Sequence, residues 1–71
     1  MNLSPRHLIR LLESLGFIHK RSKGSHALYY NSDSKITVVV PVHEGRDMRK
    51  GTLLTILKQA GIDRKTFETF R

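Results

Sequence analysis

The sequence predicts an α+β fold: a helix, a three-stranded antiparallel sheet and a second helix in that order, with a short C-terminal helix after them. Three observations predict it. Apolar residues recur at helical spacing near both ends of the chain, three runs of period two lie between them, and the runs are joined by turn residues too few for a crossover connection.

Ser4-Pro5 opens the first helix, pairing a hydroxyl that can cap free backbone N–H groups with a proline whose missing donor does no harm at the first helical position. Leu8, Leu11, Leu12 and Leu15 then fall on one face at i, i+3, i+4 and i+7, and Gly16 supplies a left-handed stop. Strands are predicted over Phe17–Ser22, Ser25–Tyr30 and Lys35–Val40, with Lys23-Gly24 and Asn31-Ser32-Asp33-Ser34 as turns. Pro41 ends the last strand. Residues 43–51, HEGRDMRKG, hold two glycines and five formal charges and read as a surface loop. Thr52 is the expected N-cap of the second helix, whose apolar face is Leu53, Ile56, Leu57 and Ala60 and whose stop is Gly61. Asp63 is placed to cap a last short helix that brings Phe67 and Phe70 one turn apart, able to fold back onto the core. Two helices can cover one sheet face and leave the other to water or a ligand, a layout similar to that of the double-stranded-RNA-binding domain (dsRBD-like).

The 71 residues make one small domain, 1–71, with too little core for a second. Thirteen Lys and Arg oppose six Asp and Glu, for a formal net charge of +7 and a pI near 10.4. The excess is shared by both halves of the chain, so it belongs to the folded body and is not a basic tail; a polyanionic partner is expected. With no cysteine there is no disulfide framework, thiolate nucleophile or zinc-thiolate site. No window approaches the roughly 20 apolar residues of a spanning helix, and no basic segment with an apolar signal core opens the chain. A cytoplasmic protein without membrane association is expected.

Among the four histidines, His7, His19, His26 and His43, no pair has the i, i+4 spacing of a helical zinc site, and the carboxylates are scattered. No metal or other cofactor is expected. His26 stands out. If Ala27 and Tyr29 face the helices, alternation puts His26 on the open side of the sheet, beside the turn that carries Lys20, Arg21 and Lys23. Neighbouring cations would lower the proton affinity of this imidazole and a bound phosphate would restore it, which suits proton exchange near neutral pH. RNA carries its own nucleophile in the ribose 2′-hydroxyl. One histidine to move a proton, with a few cations on the phosphorane charge, is then a minimal ribonuclease site. The plainer reading is a half-exposed strand residue, and spacing does not decide between the two.

Gly24 serves either a positive φ or the close approach of a phosphate to the backbone. Ser25 either bonds a phosphate oxygen or closes the turn. His43, at the strand exit after Pro41-Val42, is a candidate second proton carrier or a loop residue bonded to nearby backbone; His7 and His19 read as surface positions. Arg49-Lys50-Gly51-Thr52 sets two cations before a helix N-terminus, either as a phosphate clamp or as the solvated flank of a capped helix. Tyr29 and Tyr30 can stack on unpaired bases or simply pack.

The opening helix LIRLLESLGF, the KGSH turn and strand, the strand exit TVVVPVH and the closing RKGTLLTILKQAGI together resemble the HicA-type mRNA interferase toxins of toxin–antitoxin pairs, in the right order over nearly the whole chain. The resemblance implies a dsRBD-like fold. It also implies that His26 is the essential histidine, that Gly24 and Ser25 shape its site, and that the toxin cleaves mRNA without a metal and blocks translation. A HicB-type antitoxin is implied as the partner that binds and obstructs the site. Two positions depart from the pattern: Ala27 stands where many relatives have a second histidine, and Arg49 where many have a proline. The first puts in doubt any scheme needing paired imidazoles on that strand, and leaves His43 as the candidate second proton carrier. Lys20, Arg21, Lys23, Arg49 and Lys50 are the expected RNA-binding cations. The rival readings are a non-catalytic RNA-binding module of the same fold, and an antitoxin-binding protein whose nuclease function has decayed.

Overall fold

A computed structural model describes residues 1–71. Its elements follow the predicted order: α1 (Pro5–Ser14), β1 (Ile18–Lys23), β2 (His26–Asn31), β3 (Ile36–Pro41), α2 (Lys50–Ala60) and α3 (Arg64–Thr69). The sheet is an antiparallel meander in the order β1-β2-β3, with β2 central.

The Ser4 hydroxyl accepts the His7 N–H at 3.4 Å and Pro5 occupies the first turn, so α1 begins as its sequence requires. Its buried stripe is Leu8, Leu11 and Leu12. Leu15, expected on that stripe, is instead the C-cap and is exposed, because the helix ends one residue earlier and the backbone turns through Gly16 at φ +96°. The turn between β2 and β3 is built on buried Asn31. Its Oδ1 accepts the N–H groups of Asp33 and Ser34 at 2.8 and 3.1 Å, and its Nδ2 donates to the Leu15 carbonyl at 3.0 Å. One amide thus organises a turn and ties it to the end of α1, with no polar atom left unpaired by its burial.

Strand limits move by a residue or so from those expected. Gly24 and Ser25 form the hairpin loop, so β1 continues to Lys23 and β2 starts at His26. Lys35 takes a left-handed φ of 59° and belongs to the turn before β3. Thr52 is not the cap of α2. The helix starts at Lys50, Arg49 is its N-cap without a side-chain hydrogen bond, and Thr52 lies within the first turn, since Lys50 and Gly51 both adopt helical backbone and the Leu53 N–H reaches the Arg49 carbonyl at 3.0 Å. Asp63 does cap α3, accepting the Thr66 N–H at 2.7 Å; that bond holds its carboxyl below the usual range.

Leu8, Leu11 and Leu12 of α1, Val38 and Val40 of β3, and Leu53 of α2 meet in one apolar core between the helices and a single face of the sheet. Phe67 closes its end from α3. The other sheet face has no helix over it, and Ile18 there is 63% exposed. No helix is long and apolar enough to cross a membrane.

Candidate active site

Burial along β2 alternates as the predicted facing requires. Ala27 and Tyr29 are each 5% exposed beneath the helices, while His26 is exposed at the strand's first position. Its cross-strand neighbours are Lys23 on β1 and Pro41 on β3. The His26 imidazole makes no hydrogen bond, ion pair or ring contact within the chain, so both nitrogens are available to a ligand. Gly24, in the loop just before it, has φ +58°, a conformation in which any Cβ is strained. A Cβ built there would meet nothing within 4 Å, so the backbone beside it is open to approach. Ser25 accepts the Val42 N–H through its carbonyl at 2.6 Å, and its hydroxyl makes no hydrogen bond within the chain. That contact pins the exit of β3 to the residue before His26.

The placement of the cations depends on an irregularity that spacing does not predict. Strict alternation would send Lys20 to one face of β1 and Arg21 and Lys23 to the other. The pairing His19↔Tyr29 is followed by Arg21↔Leu28, so Lys20 is an extra residue, a β-bulge. Arg21 and Lys23 lie opposite Leu28 and His26, and the Lys20 ammonium sits 5.9 Å from the centroid of the Tyr30 ring. All three cations therefore share the side of the sheet on which His26, Leu28 and Tyr30 alternate. Tyr30 is half-buried there and faces outward; Tyr29 is packed inside, and burial, with the Glu13 charge adding to it, pushes its phenol pKa up.

His26 also borders a groove of about 500 Å³ between α1 and the hairpin, whose walls include Ile9, Glu13, His19, Ser22 and Ser25. His19 is exposed, as expected of a surface position, and its Nε2 lies 2.8 Å from the Ser22 hydroxyl while its ring lies 5.3 Å from that of Tyr29. The contact with Tyr29 follows from the register of β1 on β2, which neither strand's sequence shows by itself. His7, also expected at the surface, is half-buried: its ring packs 5.4 Å from both Phe67 and Phe70, between α1 and α3.

His43 lies on the loop after β3. With Arg49 it lines a depression of about 300 Å³ that shares Pro41, the cross-strand neighbour of His26. His43 and Arg49 thus share a depression that His26 does not line, next to Pro41, while Lys50 is exposed in the first turn of α2 and does not line it. No group of three or more His, Cys, Asp or Glu side chains converges on a common point.

No curated protein matches the chain. A family model described as the HicA toxin of bacterial toxin–antitoxin systems matches residues 5–62, from the first residue of α1 to just past the end of α2. With that match over most of its length, the chain belongs to the HicA toxin family.

Proposed function

We propose that the chain is an endoribonuclease that cuts mRNA and so blocks translation, held in check by a HicB-type antitoxin, with His26 as the catalytic proton carrier. The observation that carries this reading is the His26 imidazole, exposed and unbonded at the hairpin tip, with Lys23 paired beside it and Arg21 and Lys20 on the same face. An exposed imidazole serves no packing purpose there, and three cations without a carboxylate among them attract a phosphodiester.

The chemistry balances with the substrate's own hydroxyl as nucleophile. His26 accepts the 2′-hydroxyl proton as the 2′-oxygen bonds to phosphorus, the P–O5′ bond breaks, and a second donor protonates the departing 5′-oxygen. His43 is proposed as that donor, because the Val42–Ser25 hydrogen bond fastens its loop to the His26 end of the sheet. His19 is already held by Ser22 and Tyr29 and forms a wall of the groove. Lys20, Arg21 and Lys23 hold the backbone and meet the extra charge on the phosphorane; Arg49 and Lys50 extend the basic surface toward α2, and Gly24 and Ser25 give the phosphate room and one hydroxyl donor.

A binding module of the same fold that lacks catalysis would also hold RNA in a salt-sensitive way, so affinity does not separate the two. End chemistry does. The purified chain is expected to cut a mixed-sequence RNA into fragments with 2′,3′-cyclic phosphate and 5′-hydroxyl ends. Intact RNA after incubation with an excess of chain would favour the binding module or a toxin whose nuclease has decayed.

A further inference from the structure

The two edges of the sheet are protected very differently. The outer edge of β1 carries a bulge together with Lys20, Arg21 and Lys23, devices that discourage another strand from pairing. The outer edge of β3, Ile36-Thr37-Val38-Val39-Val40-Pro41, has no charge and no bulge. Its hydrogen-bonding directions follow from the ladder. The Val42 N–H donates to Ser25, and alternation from that pair turns the N–H groups of Val40, Val38 and Ile36 toward β2. Those of Thr37 and Val39 therefore point outward, with the carbonyls of Thr37, Val39 and Pro41.

Beside that edge, α2 leaves a groove of about 750 Å³. One wall is Thr37 and Val39; the other is Gly51, Thr52, Thr55 and Gln59, with Ile56 at its base. Val39 is 41% exposed. The groove itself holds no formal charge. Around it, residues 35–41 and 49–60 contain Lys35, Arg49, Lys50 and Lys58 and no Asp or Glu.

We infer that this groove takes an extended, acidic segment of the antitoxin, added as a fourth strand along β3 with its outer side against α2. The inference rests on the reading that an antitoxin binds this chain. Outward N–H and C=O groups spaced two residues apart match a peptide backbone. An uncharged lining suits alternate small or apolar side chains, and the cationic rim selects acidic flanks. A second copy of this chain is the poorer occupant, because pairing β3 with β3 would bring the two cationic rims together. RNA is poorer too, since the donors in the groove are backbone amides and hydroxyls and the cations lie at its rim.

Amide hydrogen exchange on the purified toxin–antitoxin complex tests this, read residue by residue against the free chain. The Thr37 and Val39 amides are expected to slow by at least about tenfold in the complex and to be unchanged by RNA. Thr55→Glu, on an exposed helical position, sets in the groove a carboxylate of the same charge as the acidic segment; it should weaken antitoxin binding about tenfold or more and leave RNA cutting unaltered. A complex in which both amides exchange as in the free chain and Thr55→Glu binds like the parent would overturn the inference while leaving the antitoxin reading intact. Failure to form any complex would overturn both. Slowing of the two amides by RNA, or by raising the concentration of the free chain, would assign the edge to nucleic acid or to self-association instead.

Discussion

His26→Ala is expected to slow RNA cleavage by about 10²- to 10⁴-fold, the usual contribution of a positioned proton carrier, and to abolish growth inhibition on expression. The reason lies in what the side chain does not do. Exposed at the start of β2, with no hydrogen bond, ion pair or ring contact, it contributes little to folding, so the variant should keep its stability within about 0.5 kcal/mol of the parent. Affinity for RNA should fall only a few-fold, because Lys20, Arg21, Lys23, Arg49 and Lys50 all remain. Cleavage rate, thermal unfolding and RNA binding measured on one preparation therefore separate chemistry from folding and from attraction. Cutting at the parental rate would remove His26 from the mechanism. Loss of RNA binding in step with cleavage would make the imidazole a binding contact only.

Phe67→Ala is expected to have the largest effect on stability, about 3–5 kcal/mol. Phe67 lies beyond the residues matched by the family model. It is nonetheless 1% exposed and joins the same apolar cluster as Leu8 and Leu53. His7 meets its ring edge-on at 5.4 Å and an interplanar angle of 85°. Phe70 closes the arrangement beneath Arg10, whose guanidinium lies 5.5 Å from the ring and donates to the Arg71 carbonyl at 2.8 Å. Removing the Phe67 ring leaves a cavity that a six-residue helix held by one cap has little else to close. A domain of this size has on the order of 5–10 kcal/mol of stability in total, so denaturant unfolding should show most of it gone. A loss below about 1 kcal/mol would mean that α3 merely lies on the surface.

Much of this architecture is legible in the sequence because its signals are local. The leucine spacing of α1, the turn residues from Asn31 to Ser34 and the cap at Asp63 each act within a few residues, where covalent geometry and one hydrogen bond decide the outcome. The facing of β2 could be read for the same reason: one buried pair, Ala27 and Tyr29, sets the side on which His26 emerges. The bulge at Lys20 could not be read, since it is a property of pairing between two strands and not of either alone. It brings the three cations to one face, so this grouping is a tertiary fact. Thr52, a good capping residue, sits inside the first turn of α2 and not at its cap, with Met48 and Leu53 on either side of the helix start buried in the core. The ring contacts of His7 with Phe67 and Phe70, and of His19 with Tyr29, are not legible in the sequence because these partners become neighbours only after folding.

Cleavage by His26 requires the substrate's 2′-hydroxyl, the group whose proton the imidazole removes. An RNA with a single deoxyribonucleotide on the 5′ side of a mapped cut gives the most direct measurement, its cleavage by the parent chain compared with that of the all-ribose strand. Cutting at that one bond should disappear while other sites are cut as before; cutting there at an undiminished rate would contradict the mechanism.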